Sequence, residues 1–183
     1  PTAAGLPHYK PMQILGGQVS WGMQRARDAA HFPAGPVNGH GSFVPHVPTD
    51  GAFAWYAGAS YETDTAPRRD AHSSDLENLG RLARLLPDAA HALAPRFSAG
   101  EVHFWHGERC ATTDRLPMVG PLQASGMPPV WISASMGSRG LTYAVLCAEI
   151  LAARLGGEPL PLEGSLARLL AAARPGLVVS HHL

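Results

Sequence analysis

The chain has 183 residues, 45% of them hydrophobic, with 14 basic and 14 acidic side chains and a formal net charge of zero. That length allows one domain, or one domain and a piece of another, with enough apolar content for a sizeable core. The neutral balance excludes a nucleic-acid binder that works by bulk positive charge, although 13 of the 14 basic residues are arginine and can form local patches. No apolar run approaches the roughly 20 residues of a membrane span and no signal peptide opens the chain, so a cytoplasmic protein without membrane contact is expected.

In chain order, Pro1 to Pro11 reads as an arm. Gln13 to Gln24 has strand character, with Val19 and Trp21 at alternate positions. Arg25 to Pro48, rich in Gly, Pro and His, predicts a loop around a short strand at Gly41 to Val44, and Phe53 to Tyr61 a buried strand. Ser73 or Ser74 is placed to cap a helix carrying Leu76, Leu79, Leu82 and Leu85 to Leu86 at helical spacing, which Pro87 stops. A short helix from Asp88 to Leu93 follows, then a long strand from Glu101 to Thr112 and an extended piece from Pro117 to Leu122. Val130 to Ala134 predicts a buried strand. Ser138 to Leu155 predicts a helix with Leu141, Val145, Ala148 and Leu151 to Ala152 on its inner face, ended by Gly156 and Gly157. A last helix, Glu163 to Ala173, leads into a strand-like tail. The pattern is α+β, a mostly antiparallel sheet with flanking helices.

Two features carry chemistry. Arg109 and Arg139 each offer a planar guanidinium fork that grips a carboxylate in two places and stays charged at any relevant pH. The Gly137-Ser138-Arg139-Gly140 turn opens a helix, so unpaired backbone N–H groups and the positive end of the helix dipole face whatever electron-rich group lies above the preceding strand.

The strings R-C-A-T-T-D-R-L-P-M-V-G (109–120) and G-S-R-G at 137–140, running on to the tail G-G-E-P-L-P-L at 156–162, resemble the C-terminal portion of the glycine oxidase/D-amino-acid oxidase family of FAD-dependent enzymes. Gly17-Gln18-Val19-Ser20 and Gly58-Ala59-Ser60-Tyr61 fall in the same order as that family's substrate-domain strands. Within it, the chain is most similar to the oxidoreductase domain of the bifunctional enzymes that make 5-methylaminomethyl-2-thiouridine in tRNA. The resemblance implies a substrate domain over residues 1–125 and a terminal strand and helices, 126–183, that return to a cofactor domain. It implies that Arg109, five residues before the Asp of the T-x-D-x-x-P motif (Thr112, Asp114, Pro117), holds a substrate carboxylate. It also places Arg139 beside the flavin, and the backbone N–H groups of Gly137, Ser138, Arg139, Gly140 and Leu141 against the flavin's pyrimidine edge.

The G-x-G-x-x-G turn with which the family grips the ADP half of FAD has no counterpart here, since Gly16-Gly17 lacks the third glycine and the helix. The FAD-binding domain is therefore expected to be incomplete, and the chain by itself is not expected to retain FAD. An uncovered apolar helix face would then favour a homodimer. The substrate implied is a small carboxylate-bearing amine or the carboxymethylaminomethyl group of a tRNA. Departures at Thr113, Met136, Thr142, Tyr143 and Val145, with a single lysine in the chain, keep a free amino acid open.

Plainer readings stand beside these. Arg109 can pair with Asp114 or Glu108, the G-S-R-G turn can simply let strand and helix pack closely, and Asp114 reads as a turn residue that accepts N–H bonds across the Thr113 to Pro117 bend. Cys110 is out of register for a covalent flavin tether and, like Cys147, reads as a small hydrophobe. His103 and His106, three apart on a strand, point to opposite faces, so no metal site is expected; His40 and His46 border either a substrate region or solvent. The second function class is a folded, cofactor-free remnant or binding module.

Overall fold

The structure is a computed structural model that describes residues 8–9, 12–63, 69–122, 128, 130–174 and 178–179. Most of the Pro1 to Pro11 arm, the 125/126 border and most of the C-terminal tail lie outside the described residues. In chain order the elements are β1 (His8–Tyr9), β2 (Gln13–Met23), α1 (Ala26–Ala29), β3 (Val37–Asn38), β4 (Ser42–Thr49), β5 (Ala52–Gly58), β6 (Glu62–Thr63), α2 (Ala71–Leu85) and α3 (Pro87–Ser98). There follow β7 (His103–Ala111), β8 (Met118–Leu122) and β9 (Val130–Ala134). A 3-10 turn at Gly137–Arg139 then leads into α4 (Gly140–Gly156), α5 (Gly164–Leu169) and β10 (Val178–Val179). They form two compact units, one of Gly16–Glu108 and one of Pro1–Leu15 with Arg109–Leu183.

The Gly16–Glu108 unit is a sheet in the order β3-β4-β5-β2-β6, with β7 also pairing with β2, and helices α2 and α3 packed on it. The β3–β4, β4–β5 and β5–β2 pairs are antiparallel. Strand alternation sends Phe43, Trp55 and Ala57 to the helix side, where they bury against Leu82, Ala89, Leu93 and Phe97. Trp55 is fully buried between Phe43 and Phe97, with ring centroids 6.4 and 6.0 Å away. On β2 the same side carries Gln18 and Ser20. They enter a polar cluster with α2: the Ser20 hydroxyl and Gln18 Nε2 both donate to Asp75 Oδ1 (2.6 and 2.9 Å), and Asn78 Nδ2 donates to the Gln18 carbonyl (2.9 Å). Buried hydrogen bonds of this kind fix the register of helix on sheet as well as its contact, although Asn78 Oδ1 has no partner.

Three boundaries in this unit differ from the sequence reading. Helix α2 begins at Ala71 and not at a serine cap, because Asp70 caps it. Asp70 Oδ1 accepts the Ser73 backbone N–H at 2.9 Å and Oδ2 accepts the Ser73 hydroxyl at 2.6 Å, which lowers the Asp70 pKa. Helix α3 runs to Ser98, through Pro95, because its last turn is anchored from outside: Arg96 donates to the Met23 carbonyl at 2.7 Å and lies over the Trp55 ring at 5.6 Å. The region read as a loop from Arg25 to Pro48 contains α1, β3 and a β4 that extends to Thr49. His46 ties this region together, since its ring pairs with Gln24 Nε2 at 2.9 Å and with the Pro33 carbonyl at 3.1 Å.

In the other unit, β8 and β9 pair antiparallel and α4 packs on them. Helix α4 ends where Gly157 takes a left-handed φ of 68° and its N–H bonds the Ala153 carbonyl. Its inner face is Cys147, Ile150 and Ala153, with Tyr143, Leu146 and Leu151 beside them, and this corrects the expected face: Leu141 is 98% and Val145 67% exposed. A helix that is apolar nearly all round has no periodic signal that selects one face. The last helix is also shorter than predicted. After Leu169 the backbone joins β8, with the Val119 N–H on the Leu170 carbonyl (2.8 Å) and the Ala172 N–H on the Val119 carbonyl (3.1 Å).

Candidate functional site

Both predicted features lie in the Arg109–Leu183 part of the chain, and one backbone contact joins them. At the end of β7, Ala111 forms an antiparallel bridge with Met136, the residue before the Gly-Ser-Arg-Gly turn. Gly137 continues from there with φ 57°, which a side chain rarely tolerates, and a Cβ on it would sit 3.7 Å from Ala111 Cβ. Arg109 is two residues back along β7 on the same side as Ala111, about 6–7 Å by strand rise, and is half-buried. Folding thus brings the Arg109 strand and the turn together, although 27 residues separate Arg109 from Met136 in sequence.

The start of α4 has the donor set an anion or an electron-rich ring edge needs. No side chain caps its N-terminus and no acidic residue stands in the first turn. The amides at Gly140 and Leu141 therefore meet no carboxylate of the helix's own, and the positive end of a 17-residue helix dipole adds to them. These residues fit the pyrimidine edge of a flavin. Ser138 and Leu141 are exposed. Arg139 turns its guanidinium away from the helix axis: Nη2 donates to the Arg115 carbonyl at 2.8 Å, and Cζ lies 5.0 Å from the centre of the Tyr143 ring.

Between β7 and β8 the T-x-D-x-x-P motif is a locked turn. Thr112 Oγ1 lies 2.7 Å from both Asp114 Oδ1 and the Leu116 carbonyl, which share its one proton, and the Leu116 N–H donates to Asp114 Oδ1 at 3.0 Å. Asp114 therefore has the turn-forming role read from the sequence. Its main partner was invisible there. Arg174, 60 residues away, grips Asp114 with Nε on Oδ2 and Nη2 on Oδ1, both 2.8 Å, and also donates to the carbonyls of Leu116 (3.0 Å) and Pro117 (2.7 Å). The Arg174 guanidinium holds the Asp114 carboxyl far below the usual carboxylate range. No sequence signal marks Arg174, which follows a run of alanines.

Cys110 is half-buried with Sγ 3.5 Å from Ser135 Oγ. Cys147 is core, and burial pushes its thiol pKa up, which makes it a poor nucleophile. His106 stands near Glu62 (3.6 Å), whereas His103 packs on Trp21, so β7 directs the two rings to different neighbours. His40 lines an open pocket with Asn38, Ser42, Tyr61 and Arg81. Among the described residues no three His, Cys, Asp or Glu side chains gather as a metal site would need, and no helix is long and apolar enough to cross a membrane.

Residues 5–154 match the family model described as FAD dependent oxidoreductase. The chain is 48% identical over 167 residues to the tRNA 5-methylaminomethyl-2-thiouridine biosynthesis bifunctional protein MnmC of Albidiferax ferrireducens, a match covering 89% of this chain and 27% of that protein. It is 49% identical over 152 residues to the protein of the same name from Polaromonas naphthalenivorans, covering 83% and 24%. The chain thus spans about a quarter of the length of these relatives. Among solved structures it resembles glycine oxidase from Geobacillus kaustophilus, with TM-score 0.56, 18% identity, and coverage of 93% of this chain and 39% of that one. It also resembles iminodiacetate oxidase from Chelativorans, with TM-score 0.56, 21% identity, and coverage of 87% and 39%. At such identities the likeness concerns the fold.

Proposed function

Because this chain belongs to the FAD-dependent oxidoreductase family, we propose that it is the C-terminal, substrate-holding part of an enzyme that oxidises a C–N bond of a carboxylate-bearing secondary amine. The carboxymethylaminomethyl group of a tRNA wobble uridine is the first candidate substrate, and the high identity to proteins named for tRNA thiouridine biosynthesis supports it. In this reading residues 1–125 form the substrate domain, residues 126–183 complete an FAD-binding domain supplied mainly by other parts of a longer protein, and the enzyme works in the cytoplasm. The observation that supports the proposal is the Ala111–Met136 bridge, which brings the strand carrying Arg109 beside the turn that opens α4.

When bound, FAD supplies the acceptor for the hydride that leaves the carbon next to nitrogen. The chain's own residues orient and hold. The Arg109 fork fixes the substrate carboxylate and with it the reacting carbon, and positioning of this kind accounts for several kcal/mol of a barrier. The backbone amides at Gly137, Ser138, Gly140 and Leu141 would hold the ring edge and stabilise negative charge on it, whereas the Arg139 N–H is spent on the Met136 carbonyl at 3.2 Å. Loss of the hydride from carbon and of the N–H proton to solvent leaves an imine, which water splits into a primary amine and glyoxylate. Glyoxylate released from a carboxymethylaminomethyl-uridine RNA by the FAD-loaded enzyme is the expected result; no glyoxylate from that RNA, with turnover of free glycine, would assign the site to a free amino acid.

Two further outcomes follow from the same reading. The 183-residue chain alone is expected to lose FAD on gel filtration, because the missing pyrophosphate turn removes about 4 kcal/mol or more, enough to turn a nanomolar site micromolar. Stoichiometric flavin absorbance co-eluting with the chain would refute this. The outward side of α4, with Leu141 and Val145 bare, is expected to associate with a second copy when no cofactor domain covers it. Light scattering at micromolar concentration should give a dimer that Leu141→Glu returns to monomer, and a monomeric parent chain would count against it.

A further inference from the structure

The turn between β7 and β8 carries an arginine that the reaction above does not use. Arg115 is exposed and has a φ of 60°, a left-handed conformation that a residue with a Cβ adopts only at a cost. The turn holds it there from both sides. The Arg115 N–H donates to the Thr112 carbonyl at 3.0 Å, and Asp114, just before it, is fixed by the Leu116 N–H and by Arg174. A glycine would take this φ freely, so the backbone gives no reason for a long cationic side chain at this place. Its neighbour is also cationic. Arg139 Nη2 donates to the Arg115 carbonyl at 2.8 Å, which puts one guanidinium beside the residue that bears the other. Among the described residues no carboxylate lies within salt-bridge distance of either. Asp114, the nearest in sequence, has both oxygens on Arg174. An anion that reaches the pair offsets the repulsion between its two like charges.

We infer that Arg115, with Arg139 beside it, grips a phosphate of the RNA backbone next to the group being oxidised. The inference rests on the reading of the chain as part of an RNA-acting oxidoreductase and adds the residue that tells RNA from a free amino acid. In that reading Arg109 takes the substrate carboxylate, and a free amino acid has no second anion for a further pair of guanidinium groups. An RNA has a phosphodiester at every nucleotide, with two unesterified oxygens that accept from a guanidinium fork. All three arginines belong to one compact unit, where the Ala111–Met136 bridge and the bond from Arg139 to the Arg115 carbonyl tie their segments together.

The test measures binding of a labelled anticodon stem–loop RNA of about 17 nucleotides to the FAD-loaded enzyme that carries this chain, by fluorescence anisotropy between about 50 and about 300 mM KCl. Arg115→Gly removes the charge and suits the left-handed φ, so the urea midpoint should equal or exceed the parent's. RNA affinity should nevertheless fall roughly 5- to 20-fold at the lowest salt. The slope of log affinity against log salt should become shallower by about 0.7 to 0.9, the value of one phosphate contact. Arg115→Lys should keep the slope, since it keeps the charge. Parent-like slope and affinity in Arg115→Gly, no RNA binding by the parent, or loss of flavin absorbance in Arg115→Gly would overturn the proposal, the last because the pair would then serve the cofactor. Glyoxylate release by the parent enzyme is read separately. Release from the RNA together with a parent-like slope in Arg115→Gly sinks the phosphate grip and leaves the reading of the reaction standing, whereas no release from an RNA that the parent binds sinks that reading instead.

Discussion

Replacing Arg109 by Lys in the FAD-loaded enzyme that carries this chain is expected to lower kcat/KM by roughly two to three decades, equal to about 3–4 kcal/mol, with the flavin spectrum unchanged. Lysine keeps the charge and loses the planar fork, so the substrate carboxylate is held at one point and the reacting carbon swings out of line. Most of the loss should fall on kcat, because orientation is used in the transition state more than in the initial complex. The same change at Arg139 should act differently. Its guanidinium is bonded to the Arg115 carbonyl and lies on Tyr143, so Arg139→Lys should loosen the join between the motif turn and α4 and disturb flavin and substrate together. Wild-type kinetics for Arg109→Lys on a carboxylate-bearing amine would take Arg109 out of the site.

Asp114→Asn should destabilise the Arg109–Leu183 part by about 2–4 kcal/mol, measured as a fall in the urea midpoint. Arg174 has only 4% of its side chain exposed, and the substitution leaves its charge buried without a counter-ion. The figure stays below the top of the range for buried pairs because 40% of the Asp114 side chain meets water. Replacing both partners, as Asp114→Asn with Arg174→Leu, should cost less than the sum of the single changes. The pH dependence has a definite sign. The folded pKa of Asp114 is depressed, mainly by the Arg174 hydrogen bonds, so its contribution is present above the usual carboxylate pKa of 3.8 and drains away as pH falls from there toward the lower folded value. Equal acid sensitivity of the parent and Asp114→Asn would show that the pair contributes nothing to this.

Several elements were legible in the sequence because their signals are local. The strand from Gln13, the strand from Phe53 and the long strand into Ala111 appear where alternation put them; the Val130 to Ala134 strand is also present, but it was expected to be buried and is half-exposed, with Val130 49% exposed. The leucine spacing of α2 marked its body, and Pro87 marked its end. Boundaries failed where a distant partner decides them. Asp70 outcompeted the serines for the cap of α2, Arg96 and Phe97 carried α3 past Pro95, and β8 drew the chain out of helix after Leu169.

The sequence by itself determined which chemistry is on offer, because the ordered strings around Arg109 and Gly137 identify a family, and a guanidinium or a glycine turn keeps its properties wherever it lies. The tertiary structure alone decided which of these groups meet. The Ala111–Met136 bridge, the Arg174 grip on Asp114 and the outward turn of Leu141 join residues dozens of positions apart, or choose one face of a helix apolar on every side. Local periodicity holds no information about such pairings, since they depend on shape and polar satisfaction across the whole packed unit.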